Sequence, residues 1–127
     1  PLLVPLVEEG WTSGEVPKLC VRKYLTPLIA QQIDALVLGC THYPLLREVI
    51  EHEAAELRGQ PLPVVDSAQA TASELAELLH ERNLAHTGTS TGSLRILVTD
   101  MPGKFAEVAA RFLGRSVEGL DVTAIDL

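Results

Sequence analysis

Asp34–Gly39 reads DALVLG, and the residues that follow, Cys40–Leu46, read CTHYPLL. The first run is almost continuously apolar, as expected of a buried strand in a parallel sheet. Pro44 suits the first turn of a helix, and Leu45, Leu46, Val49 and Ile50 then recur on one helical face. Cys40, Thr41 and His42 therefore fall in the turn between a strand end and a helix start. In open α/β sheets, ligands bind outside the carboxyl ends of the strands.

The same alternation extends in both directions. Upstream, Pro1–Gly10 (PLLVPLVEEG) reads as a short helix or as a loop over a site, and Trp11–Pro17 as a loop. Lys18–Ile33 carries Leu25, Leu28, Ile29 and Ile33 at helical spacing, with Pro27 placed to kink or split the run. Downstream, Gly59 and Gln60 end the helix that Pro44 opens, and Leu62–Val65 is a short strand closed by Asp66. Ser67–Leu84 is helical, and Leu84–Gly92 is small, polar and loop-like. Leu94–Val98 is a strand, Met101–Leu113 a helix built on Phe105, Val108, Ala109 and Phe112, and Val122–Leu127 a last strand. Gly114 fits the C-cap of that helix. The order predicts an α/β fold with a mostly parallel sheet and flanking helices.

Composition narrows the function. The chain has 127 residues, 46% of them hydrophobic, which is an ordinary globular composition and enough for a real core. Ten Lys+Arg against 17 Asp+Glu give a net charge of -7, which argues against a nucleic-acid partner. Aromatic residues make up only 4%, so no base-stacking surface is expected. No apolar stretch approaches the ~20 residues that span a bilayer. Cys20 and Cys40 do not make a disulfide framework, and a reducing cytoplasm is the expected setting. Pro1 is not a natural start, so sequence upstream is expected.

The turn after DALVLG carries the chemistry. A thiol at a helix N-terminus sits where partial positive charge favours the thiolate. Backbone N–H groups there can hold a carboxylate. His42 is near enough in sequence to share a proton with Cys40. The competing reading makes Cys40 a small buried hydrophobe. No metal site is expected, because Cys and His two residues apart are poor partners and no Cys-x-x-Cys or His-rich segment accompanies them. Cys20 reads as a bystander at a helix start, Tyr43 as a packing residue, and His52, His80 and His86 as solvated. Asp66 and Asp100 read as turn or N-cap residues, and the acidic run Glu48–Glu56 as a solvated helix face.

LGCTHYPLL resembles the second catalytic-cysteine motif of the glutamate racemase family, a branch of the aspartate/glutamate racemases that supplies D-glutamate for peptidoglycan and hence for cell-wall biogenesis and cell shape. PLLVPLVEEG resembles the segment preceding that motif, and PVVDSAQATA the strand and Asp-Ser turn following it. RILVTD, the Phe105 helix and VTAIDL resemble the family's C-terminal end. The likeness runs in order along essentially the whole chain. The family's first half, with Asp-Ser-Gly and Ala-Cys-Asn-Thr segments, has no counterpart here, so the chain resembles the C-terminal half.

The resemblance implies a cofactor-independent racemase in which two cysteines act on opposite faces of glutamate. Cys40 would be the base toward L-glutamate, His42 its assistant, Thr41 a substrate contact together with Cys40, and Glu8 a supporting carboxylate, with Glu9 adjacent. Pyridoxal phosphate would need a lysine, and Lys18, Lys23 and Lys104 lie in no recognisable site. The family fold implies two α/β domains facing each other. Residues 1–65 would form part of the second, and residues 66–127 would return to complete the first. The implied partners are glutamate and the missing N-terminal half, with a homodimer as a possible assembly. Alternatives are an aspartate racemase-type enzyme, a non-catalytic partner-binding module, or a one-thiol redox or transfer enzyme with Cys20 as resolving cysteine.

Overall fold

In the computed structural model the described residues are 1–90, 92–114 and 121–126. They form two compact units, Pro1–Ala85 and His86–Leu127, divided within the Leu84–Gly92 loop. The element order is α1 (Leu3–Glu8), α2 (Glu15–Ile29), β1 (Leu36–Leu38), a 3-10 helix (Tyr43–Leu46), α3 (Arg47–Arg58), β2 (Val64–Asp66), α4 (Ser67–Glu81), β3 (Arg95–Val98), α5 (Pro102–Leu113) and β4 (Asp121–Ala124).

The first unit is built on a β–α–β crossover. β1 and β2 run parallel, with Leu36 opposite Val64, Val37 opposite Val65 and Leu38 opposite Asp66. α3 makes the crossover, and Gly59 ends it in the left-handed conformation (φ 76°) that favours glycine. α2 packs along α3. Leu3, Val7, Val21, Leu25, Leu38, Leu46, Val49, Ile50, Ala54 and Leu62 form the buried core. Tyr43 packs against this core, as expected.

Several expectations are corrected here. α2 begins at Glu15, not Lys18, and ends at Ile29, so Cys20 is well inside a helix and Ile33 is beyond it. Pro27 does not split α2. It falls in the last turn, where its missing N–H leaves Lys23 O without its i+4 donor, and the helix stops two residues later. Pro44 does not open an α-helix directly. Tyr43 N donates to Cys40 O and Leu45 N to His42 O, the tighter 3-10 pattern, and α3 proper starts at Arg47.

The strand expected to be buried on both faces is buried on one. Alternation turns Leu38 into the core and leaves Val37 70% exposed, with Val65 beside it on β2 at 49%. α4 contributes no buried residue, and Leu75 and Leu78 lie on its exposed surface.

The acidic helix face is also not wholly solvated. Glu48, Glu51 and Glu56 are exposed, but Glu53 is 2% exposed because it shares the inward face of Val49, Ile50 and Ala54. Arg22 Nε donates to its Oε2 at 2.5 Å, and His52 Nδ1 lies 3.2 Å from Oε1. Burial pushes the Glu53 carboxyl up, and the hydrogen bonds and charges of Arg22 and His52 together outweigh it, holding the group below its ordinary range.

In the second unit, β3 and β4 run parallel, Arg95 opposite Asp121 through Val98 opposite Ala124, with α5 as the crossover. Among the described residues the strands pair as β1 with β2 and β3 with β4. Gly114 caps α5 at φ 60°, as expected. Val98 and Ala109 are buried, while Phe105 and Phe112, expected in the helix core, are 39% and 44% exposed. The last strand stops at Ala124, and Leu127 lies outside the described residues.

Candidate active site

The turn between β1 and α3 is positioned from three sides. β1 delivers Gly39 and Cys40 at its carboxyl end. The 3-10 helix tightens the exit, and its Leu46 side chain is fully buried beneath it. α1 packs against both the 3-10 helix and α2. Trp11 N donates to Leu6 O at 2.7 Å, tying off the end of α1.

This packing brings Glu8 to the turn. Glu8 Oε1 lies 3.6 Å from His42 Nε2, and His42 Nδ1 lies 3.2 Å from Thr41 Oγ1. The imidazole thus has a carboxylate on one ring nitrogen and a hydroxyl on the other. Glu9, the neighbouring candidate, ends α1 with its N–H donating to Pro5 O at 3.0 Å. Cys40 is half-buried in the same turn, and Thr41 is exposed. Cys20 is half-buried on α2 against the core. The α-helix begins at Arg47, so the peptide groups next to Cys40 belong to a 3-10 turn and not to the first turn of α3.

Sequence reading missed Arg47 as a partner of this region. Its guanidinium pairs with Asp66 Oδ2, and its Nη1 donates to Val64 O at 2.9 Å and Glu51 Oε1 at 2.8 Å. Asp66 is the N-cap of α4, accepting from Gln69 N at 2.9 Å, which agrees with its reading as a cap. Those bonds, that from Gln69 first and that from Arg47 second, hold the Asp66 carboxyl below the ordinary aspartate range. The hydrogen bonds to Asp66 and Glu51 raise Arg47 above its ordinary value. An Arg seven residues past a cysteine and an Asp closing the next strand were the available signals; their meeting depends on the β1–β2 register.

An apolar cleft of about 300 Å³ opens nearby, lined by Tyr24, Leu36, Leu38 and Tyr43 among others. Its lining does not suit a dicarboxylate. Among the described residues no group of three or more His, Cys, Asp or Glu is placed to hold a metal. No helix among them is long and apolar enough to cross a membrane.

An α/β crossover that presents Cys-Thr-His at a strand end agrees with the family comparison. Residues 5–75 match the Asp/Glu/Hydantoin racemase family, and the chain belongs to it. Within that family its sequence is similar to glutamate racemases. It is 47% identical to the glutamate racemase of Neisseria gonorrhoeae over 125 residues, which is 98% of this chain and 44% of that protein. It is 45% identical over 120 residues to that of Syntrophus aciditrophicus. The chain therefore spans less than half the length of these relatives. The structure of Francisella tularensis glutamate racemase in complex with D-glutamate matches 98% of this chain and 44% of that one, with a TM-score of 0.80 and 33% identity. That of a Bacillus anthracis glutamate racemase isoform matches with a TM-score of 0.81 at 31% identity, covering 100% of this chain and 45% of that one.

Proposed function

We propose that this chain supplies the C-terminal part of a cytoplasmic glutamate racemase that interconverts L- and D-glutamate without a cofactor and so provides D-glutamate for peptidoglycan. The observation that carries this reading is the gathering of Glu8 and Thr41 around His42, in the turn that holds Cys40. The Cys40 thiolate takes the α-proton of L-glutamate: the C–H bond breaks, the S–H bond forms, and the electron pair stays on the α-carbon. A second thiol, from the N-terminal half, delivers a proton to the opposite face. In reverse the two exchange roles. His42 shares the proton of Cys40, Glu8 orients the His42 ring, and Thr41 with Cys40 contacts the substrate.

In this reading residues 1–65 belong to the second domain of a two-domain enzyme, and residues 66–127 return to the first. The outward faces of Val37, Val65, Leu75 and Leu78 then meet the rest of the protein, and a homodimer is compatible with the scheme. Inversion needs acid and base on opposite faces, so the 127-residue chain alone is inactive. The test is to incubate it with L-glutamate and follow optical rotation. No conversion is expected, and measurable D-glutamate would overturn the two-thiol scheme. The second reading, an aspartate substrate, is favoured by the breadth of the family, whose description includes both acids. Running the complete racemase on L-aspartate and L-glutamate side by side separates the two.

A further inference from the structure

Asp66 holds both ends of the Cys40 turn. Leu38, two residues before Cys40, is its register partner across the β1–β2 pair. Arg47, the first residue after the 3-10 helix, reaches back and pairs with its carboxylate. Asp66 thus meets the chain on both sides of residues 39–46, a segment that Tyr43 and Leu46 also anchor to the core. The carboxylate is itself fixed: Asp66 is 7% exposed, and its other oxygen accepts from Gln69 N at 2.9 Å. The guanidinium is fixed as well, by Val64 O at 2.9 Å and Glu51 Oε1 at 2.8 Å. A planar fork held by several acceptors sets an orientation that a flexible ammonium does not.

We infer that the Arg47–Asp66 pair is a clamp that positions the Cys40–Thr41–His42 turn, so that Arg47 and Asp66 are positioning residues for proton transfer. The functional meaning rests on the racemase reading; the clamp itself does not. Neither residue has to touch substrate. Misplacing a reacting group by about 1 Å can cost on the order of a hundredfold in rate, so the anchoring of this turn bears directly on turnover.

Amide hydrogen exchange and iodoacetamide labelling of the 127-residue chain test the clamp without any assay of activity. In Arg47→Met, exchange across residues 39–46 is expected to rise about tenfold, the scale on which a hydrogen bond to a charged group contributes. Exchange in α2 is expected to stay unchanged. Alkylation of Cys40 should rise relative to Cys20 in the same molecule. Asp66→Asn keeps an oxygen for Gln69 N and should give the same local effect. Arg47→Lys, which keeps a positive charge opposite Asp66 but not the planar fork, should restore only part of the protection.

Unchanged exchange at 39–46, or a uniform rise through α2 and α3, would overturn the clamp. So would loss of the helical circular-dichroism signal in both Arg47→Met and Asp66→Asn, since a device confined to the turn leaves the α2–α3 core standing. In the complete racemase, Arg47→Met should lower kcat and leave KM within about twofold. Unchanged kcat would overturn the positioning role. A complete protein that does not racemise glutamate, beside a 127-residue chain that shows the exchange pattern, would sink the racemase reading and leave the clamp intact.

Discussion

Glu8 Oε1 stands 3.6 Å from His42 Nε2, across a packing contact between α1 and the 3-10 helix. The other ring nitrogen lies 3.2 Å from Thr41 Oγ1. A ring approached at both nitrogens has a restricted orientation. Glu8 is half-exposed, so its electrostatic pull is partly screened and its larger contribution is to orientation.

Glu8→Gln in the complete racemase should therefore lower turnover less than His42→Asn does, by roughly three- to tenfold against a larger loss for the histidine. Both losses should be greater from L-glutamate than from D-glutamate, because the pair serves the Cys40 face. Initial rates in the two directions check this. Equal losses would show that His42 and Glu8 serve binding generally.

Leu46 is fully buried at the end of the 3-10 helix, directly before Arg47. Leu46→Ala removes apolar atoms from a packed site and leaves a cavity, at a cost of about 2–5 kcal/mol. Urea denaturation followed at the helical signal measures it. A loss below about 1 kcal/mol would place Leu46 outside the cooperative core.

Asp66 gives a pH signature with a definite sign. Its carboxyl is held below the ordinary aspartate value of about 3.9 by Gln69 N–H and then by Arg47. A group whose folded value is depressed stabilises the fold fully above its unfolded value. That stabilisation is lost as pH falls through the folded value. The gap in urea midpoint between parent and Asp66→Asn should be full at pH 7 and pH 5, shrink below about pH 4 and close in stronger acid. Glu53, also depressed, is common to both proteins and does not enter the difference. A gap that stays constant into strong acid would mean that the Asp66 charge contributes nothing.

The β1–turn–helix–β2 order was legible because its signals are local: an apolar strand, a proline opening the next element, and glycine at the end of the helix. The adjacency of Cys40, Thr41 and His42 was legible for the same reason. What escaped the sequence depends on partners far apart in the chain. Glu53 reads as one more acidic surface residue until α2 places Arg22 against it. Arg47 and Asp66 meet only through the strand register. Val37 reads as core because DALVLG is almost continuously apolar, yet pleating turns it to the other face of the sheet. α3 starts later than Pro44 suggests because the turn first takes up 3-10 hydrogen bonds. Glu8 could be favoured over Glu9 only by the family likeness; the fold shows that Glu8 approaches His42 while Glu9 ends α1.

The role of Cys40 is the claim on which the rest depends, and proton NMR of L-glutamate in D2O tests it most directly. The complete racemase and its Cys40→Ser variant are compared for loss of the α-proton signal and appearance of D-glutamate. A serine hydroxyl is far too weak an acid–base partner for this proton, so conversion should fall by at least about a thousandfold. A Cys40→Ser variant that still converts L- to D-glutamate within about tenfold of the parent rate would contradict a base at Cys40.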